Sequence, residues 1–301
     1  MENSTFIRKI AFTFIIGIII SCSSFAQVTN GNSDSGQLYK IRFEHLALNV
    51  FDPVKVTKWY QENLGLKIVR QGGEPTYTTF ISDQGGNMMF EFFYNKDYPV
   101  QDFSKWDCTS IHMAFICEDV SKIKEKLMSN GATVCSDIRK TDSGDEVLVL
   151  RDPWGFSIQF IKRENKMLNH DGFYFEHLAF NLSDSKAKAK WFTENLGMII
   201  KREGKAPSYG MFISDSGENM MLELYQQKDY PVIGFDSLSH MTIHLAFMTD
   251  NIEAVKEKLL NTGVKVVEDI TKTASGDFVL MMRDPFGMPT QFVKRANPML
   301  K

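Results

Sequence analysis

The sequence predicts an α+β fold of tandem paired βαβββ modules, and three observations carry that expectation. Residues 43–163 repeat as 175–295 without a gap, at an offset of 132 residues, with roughly half the aligned positions identical, far above chance. Within each copy, the order strand, glycine-terminated helix, three strands occurs twice. The composition, 43% hydrophobic, 12% aromatic and 24% charged over 301 residues, is that of an ordinary globular protein with room for two domains. It excludes disordered, collagenous and disulfide-scaffold classes.

Residues 1–26 read as an export signal: Arg8 and Lys9 precede an apolar run over 10–20, and Ser24-Phe25-Ala26 offers small residues for cleavage. The run is too short for a permanent span, so no integral membrane segment is expected. A competing reading takes Ile19-Ile20-Ser21-Cys22 as a lipidation box with Cys22 as the anchor. Either way the protein is expected to be periplasmic or secreted. A polar spacer over 27–37 leads into domain 1 (38–166), and domain 2 covers 170–301.

The first unit opens with strand 43–50, then helix 53–64, with Asp52 as N-cap, Pro53 at its first position and Gly65 just past its end. Strands near 66–70, 77–81 and 87–93 follow. The second unit has strand 111–116, helix 120–130 between Asp119 and Gly131, and strands near 133–138, 146–150 and 157–161. The second copy repeats both units.

Strands alternate faces, so His45, Ala47 and Asn49, with Phe43, should lie opposite Leu46, Leu48 and Val50. The same reading places His112 with Ala114, and puts Glu91 and Gln159 on mixed faces of the last strands. Each unit thus carries a His on its first strand and a Glu or Gln on its last. The second copy repeats the pattern as His177, Glu223, His244 and Gln291, at the same offset of 132. A single strand His is usually a hydrogen-bonded core residue, but the same placement in four equivalent units points to a ligand set. Two imidazoles, a carboxylate and an amide oxygen suit a divalent ion such as Zn, Ni, Co, Mn or Fe. A metal-free cavity using these groups for a polar ligand is the alternative.

The stretches FEHLALNV, WYQENLGL, MMFEFFYN, IHMAFICED and LRDPWGFSIQF, with their second-copy counterparts, resemble the vicinal oxygen chelate superfamily of glyoxalase I, extradiol dioxygenases and bleomycin-resistance proteins. The resemblance implies two cup-shaped mixed sheets with flanking helices, each cup closed around a metal. It implies His45, Glu91, His112 and Gln159 as ligands in the first cup and His177, Glu223, His244 and Gln291 in the second. The pattern is most similar to glyoxalase I, a lyase, and implies Glu91 and Glu223 as catalytic bases; Asn49 and Asn181 on the donor faces and the repeated Tyr77 and Tyr209 are the candidate substrate contacts. One departure is that Gln159 and Gln291 stand where glyoxalase I usually has Glu. An amide can ligate but cannot accept a proton at neutral pH. A non-catalytic ligand-binding protein is the reading from another class, and an extradiol dioxygenase ranks below both.

Tyr77 and Tyr209, with Arg70 and Arg202, are placed to line the cup mouth or simply to pack their rings. The KTDSGD and KTASGD segments at 140–145 and 272–277 are expected to be turns, and KDYPV at 96–100 and 228–232 to anchor a loop by burying Tyr98 and Tyr230. Three of the four cysteines (Cys108, Cys117, Cys135) fall in the first copy and none in the second, so no disulfide framework is expected. The formal charge of −3 without a long basic run makes nucleic acid an unlikely partner class. A small molecule is the expected partner, and four units in one chain make a monomer feasible, with a homodimer as the other option.

Overall fold

A computed structural model describes residues 39–300. The expected export signal (1–26), the spacer (27–37) and Cys22 lie outside the described residues. Unit 1 comprises β1 (Ile41–Asn49), α1 (Pro53–Leu64), β2 (Lys67–Gln71), β3 (Thr79–Ser82) and β4 (Met89–Phe93). Unit 2 comprises β5 (Ile111–Ile116), α2 (Val120–Met128), β6 (Thr133–Lys140), β7 (Glu146–Arg151) and β8 (Ser157–Lys162). Unit 3 has β9 (Tyr174–Asn181), α3 (Ser185–Leu196), β10 (Ile199–Glu203), β11 (Met211–Ser214) and β12 (Met221–Tyr225). Unit 4 has β13 (Ile243–Thr249), α4 (Ile252–Leu259), β14 (Lys265–Lys272), β15 (Phe278–Arg283) and β16 (Pro289–Lys294).

Helix starts follow the sequence signals closely. Asp52, Asp119, Asp184 and Asn251 each accept a hydrogen bond from the backbone N–H three residues on, satisfying a donor the first turn would leave orphaned. Gly65 and Gly197 close α1 and α3 in the left-handed region, at φ 69° and 67°. Helix α2 ends at Met128, short of the expected residue 130. Strand β3 begins at Thr79, so Tyr77 lies in the preceding loop, at φ 48°.

Two eight-stranded mixed sheets form, and their composition differs from the expected one-copy-per-cup arrangement. Sheet A runs β14-β15-β16-β13-β1-β4-β3-β2, joining unit 1 to unit 4; sheet B runs β10-β11-β12-β9-β5-β8-β7-β6, joining unit 3 to unit 2. The seams are the antiparallel pairs β1–β13 and β5–β9. The short connection between β8 and β9 favours this exchange, because it returns the chain directly alongside β5.

The two units of a copy pack back to back instead of edge to edge. The Trp59 indole donates to Asn130 O at 2.7 Å, and Trp191 makes the equivalent bond to Thr262 O. Phe90 of sheet A meets Phe175 of sheet B with ring centroids 5.3 Å apart, and Phe115 meets Phe175 at 4.7 Å. These residues belong to one core cluster that spans both copies. Full burial of each such ring contributes about 2–3 kcal/mol, so the shared core couples the copies. Helices cover the same core faces, as in the 5.3 Å contact of Tyr60 with Phe90. The opposite face of each sheet carries the functional side chains.

Candidate metal centres

Strand register brings the donors together, because residues directly opposite each other share a face. In sheet A, Glu91 lies opposite Ala47 and Ala47 opposite His244; His45 lies opposite Ala246 and Ala246 opposite Gln291. In sheet B, Glu223 faces Ala179, which faces His112; His177 faces Ala114, which faces Gln159. Each seam therefore juxtaposes two His-x-Ala segments head to tail. The alanines keep the centre narrow-walled while the longer side chains point inward.

Two three-residue clusters result: His45, Glu91 and His244 (site A), and His112, His177 and Glu223 (site B), each with donor atoms mutually within 4.8 Å. All eight expected ligand positions lie on the two donor faces. The expected grouping by copy is corrected, however: His112 joins His177 and Glu223, with Gln159 on the same face, while His244 joins His45 and Glu91, with Gln291 on that face. Pairing of units 1 with 4 and 2 with 3 is the reason.

Each cluster histidine is held by its Nδ1. His45 donates to Glu44 at 2.8 Å and His177 to Glu176 at 2.9 Å; His112 donates to Cys108 O at 3.2 Å and His244 to His240 O at 2.9 Å. That fixes the tautomer and leaves Nε2 facing the site. All four Nε2 atoms are buried. Those of His112 and His244 have no hydrogen-bond partner and would each cost about 1–3 kcal/mol with nothing to bind, while those of His45 and His177 meet only a carboxylate, so the residues fit a divalent cation. His45 Nε2 lies 2.9 Å from Glu91 Oε2, and His177 Nε2 lies 3.1 Å from Glu223 Oε2. The glutamate side chains keep 15% and 21% exposure while the histidines keep at most 5%, so Glu91 and Glu223 are the cluster members a ligand can reach.

Burial pushes His112 and His244 down to about 4, helped by the neighbouring His177 and opposed by Glu223 in the first case. Both are neutral at physiological pH. For His45 and His177 burial also acts downward, but the flanking glutamates outweigh it and raise both. Burial acts upward on Glu91 and Glu223, yet their histidine neighbours hold both below the usual range, so both are ionised at neutral pH.

A β-bulge makes the glutamate support possible. Alternation would send Glu44 to the core face, but β1 advances two residues from Phe43 to His45 while β13 advances one. Glu44 is the extra residue, and β9 has the equivalent shift between Phe175 and His177. The bulge also moves Phe43 off the expected His45 face into the core, 5.1 Å from Phe247. Arg295 clamps Glu44 with two bonds of 2.7 and 2.6 Å and reaches Asp277 at 2.8 Å; Arg163 does the same for Glu176 and Asp145. These supports escaped the sequence reading, although an acidic residue before the first His of each copy was a visible signal.

The clamp has a pH signature. Burial raises Glu44 and Glu176, but their His and Arg partners prevail and bring both from 4.5 to about 2. Depressed carboxylates contribute stability that is complete above their unfolded value and is lost as pH falls through the folded one. Acid unfolding, followed by circular dichroism, is therefore expected between about pH 4 and 2. Arg295→Gln should move the midpoint upward; an unchanged midpoint refutes the clamp.

Other expected site residues take different roles. Asn49 donates through Nδ2 to Asn95 O and Tyr98 O, both at 3.1 Å, and accepts from Asn95 N at 2.9 Å. Asn181 does the same for the loop after β12. Their amides are committed to holding the KDYPV loops, which explains why Tyr98 and Tyr230 need not be buried and are only half-buried. The Tyr77 hydroxyl donates to Glu74 in its own loop, and Lys186 lies 4.5 Å from the Tyr209 ring. The KTDSGD segment is a closed turn, with Thr141 N bonded to Asp145 O at 2.8 Å and Gly144 at φ 89°. Cys108, Cys117 and Cys135 are free thiols.

Comparison with known proteins matches residues 42–160 and 174–292 to the model of the Glyoxalase/Bleomycin resistance protein/Dioxygenase superfamily. The chain is 24% identical over 272 residues to a lactoylglutathione lyase of Arabidopsis thaliana, covering 85% of this chain and 92% of that protein. It is 26% identical over 126 residues to a lactoylglutathione lyase of Haemophilus influenzae, covering 40% of this chain and 91% of that one. Among solved structures, glyoxalase I from Zea mays superposes with a TM-score of 0.68 at 20% identity, covering 85% of this chain and 93% of the other.

Proposed function

The chain belongs to the Glyoxalase/Bleomycin resistance protein/Dioxygenase superfamily, and from that premise we propose that it is a divalent-metal-dependent lyase or isomerase of the glyoxalase I type. The observation that carries this reading is the convergence in each sheet of two buried His Nε2 atoms on one reachable, ionised glutamate. Gln159 and Gln291, on the same face by register, are the proposed fourth donors. A bound cation would supply Lewis-acid polarisation of a substrate carbonyl.

The chain's own residues supply the proton chemistry. Glu91 or Glu223 takes the proton from the carbon that bears the hydroxyl and sulfur and returns it to the former carbonyl carbon, while the hydroxyl proton passes to the former carbonyl oxygen, so the net change is an isomerisation. The amides of Gln159 and Gln291 cannot share that task. One carboxylate per site must therefore serve as both base and acid. Glu44 and Glu176 hold the ligand imidazoles and, being clamped by arginine, stay outside the proton transfer.

The substrate class we propose is the adduct of a 2-oxoaldehyde with a thiol. The leader over 1–26 supports an exported, periplasmic or secreted site of action, possible lipid anchoring at Cys22 included, where the thiol would differ from a cytosolic one. Metal analysis of residues 27–301, with an assay of methylglyoxal thiohemiacetals made from several thiols, tests the reading. About two ions per chain with thioester formation is the expected result; no ion after reconstitution sinks it. Metal without turnover of any adduct would favour a ligand-sequestering protein. Fractionation of the native host tests the location, and a cytosolic pool alone would refute export.

A further inference from the structure

In both sites the loop that orients a ligand imidazole is tied to an edge strand, but by different chemistry. His112 donates through Nδ1 to Cys108 O and His244 to His240 O, so the equivalent residues 108 and 240 hold the two rings. In site A the His240 side chain is itself anchored, with Nε2 2.8 Å from Glu268 Oε1 on β14. A bulge puts Glu268 there: β14 advances two residues from Val266 to Glu268 while β15 advances one, from Met282 to Met281. Met281 lies opposite Gln291, so this is the donor side of sheet A.

Site B has the same bulge with different residues. On β6 the chain advances from Val134 to Ser136 against Leu150 to Val149, so Cys135 and Ser136 both oppose Val149, which faces Gln159 on the donor side of sheet B. Cys108 stands where site A has His240. The Cys108 and Cys135 thiols lie within hydrogen-bond reach of each other. Arg151, opposite Thr133 on β6, donates to Phe103 O at 3.1 Å and to Trp106 O, which holds the Cys108 loop over that end of the strand. Both thiols are half-buried and open to small solutes, whereas Cys117 is buried.

We propose that Cys108 and Cys135 are a redox pair that closes to a disulfide, and that this bond takes in site B the place of the His240–Glu268 tie, holding the carbonyl that orients His112. The disulfide is independent of the metal-centre reading; its effect on His112 rests on that reading. A small-molecule disulfide is the oxidant. The Cys135 thiolate attacks one of its sulfurs and releases a thiol; Cys108 then loses its proton and attacks the Cys135 sulfur, releasing the second thiol. Two protein thiols are oxidised and one external disulfide is reduced. Cys135 is the attacking group, because the Cys108 hydrogen bond and the Arg151 charge outweigh burial and keep it below the ordinary thiol range.

The reduced full chain, treated with oxidised glutathione at neutral pH, alkylated and mapped as non-reduced peptides, tests the bond. A Cys108–Cys135 cross-link is expected, two hydrogens lighter than the reduced pair and reversed by dithiothreitol, with Cys117 left to the alkylating agent. Cys117→Ser should form it equally, and Cys135→Ser should not. Glutathione adducts without the cross-link, no reaction, or a bond from either residue to another cysteine overturns the proposal. For the effect on His112, the variant His45→Ala with His244→Ala keeps only site B. Its zinc should pass to a chelator about tenfold more slowly when oxidised than when reduced. In His112→Ala with His177→Ala, which keeps only site A, the rate should not change. Equal rates in the first variant refute the positioning role. A chain that binds no zinc in either state defeats the metal centre, and the peptide map still decides the disulfide.

Discussion

Replacing His45 and His244 together by alanine should remove about one of two bound ions per chain, whereas replacing His45 and His112 together should remove both. The first pair lies in one cluster and the second pair is split between clusters. Grouping by copy predicts the reverse, because His45 and His112 are in the same repeat and His244 is in the other. Each cluster has only two imidazoles and one carboxylate beside an amide, so losing one His leaves too few strong donors to hold the ion against buffer. Elemental analysis after gel filtration, with circular dichroism to verify folding, gives the count. Loss of both ions from the first pair, with loss of one from the second, would refute the exchanged sheets.

Glu91→Gln with Glu223→Gln should lower turnover by about 10²–10⁴-fold, the usual range for a lost acid–base group. Metal content is measured on the same samples and turnover is given per bound ion, because the neutral amide is a weaker donor than the carboxylate it replaces. The size of the effect follows from the shortage of alternatives: Glu44 and Glu176 are the nearest other carboxylates, and each is held by an arginine and a histidine. Either single variant should spare one site. Activity of the double variant within about tenfold of the native protein would remove these residues from the chemistry.

Much of the site was legible because strand alternation and the 132-residue offset are local or repetitive signals. They put on the expected faces the four histidines and two glutamates that meet in the clusters, with Gln159 and Gln291 beside them by register, along with the caps at Asp52 and Asp119 that set the helix starts. Alternation failed at Glu44, where one extra residue in β1 turns the carboxylate toward the imidazole it supports. Nothing in a two-residue period marks a bulge. The role expected for Asn49 failed for a related reason: its place beside the donors was right, but the backbone of residues 95–99 consumes its amide.

The sequence by itself determined the four βαβββ units, the side chains on their donor faces and the chemistry those side chains can perform. Only the tertiary structure decided which units share a site. Backbone ladders do not distinguish two nearly identical strands, so β5 could pair within its own copy or with β9 by the same hydrogen bonds. Three features choose between them in the folded chain: the short β8–β9 connection, the common aromatic core around Phe90, Phe115 and Phe175, and the clamps from Arg163 to Glu176 and Arg295 to Glu44. The clamp residues are separated by 13 positions in one case and 251 in the other, so no single spacing could have announced the rule.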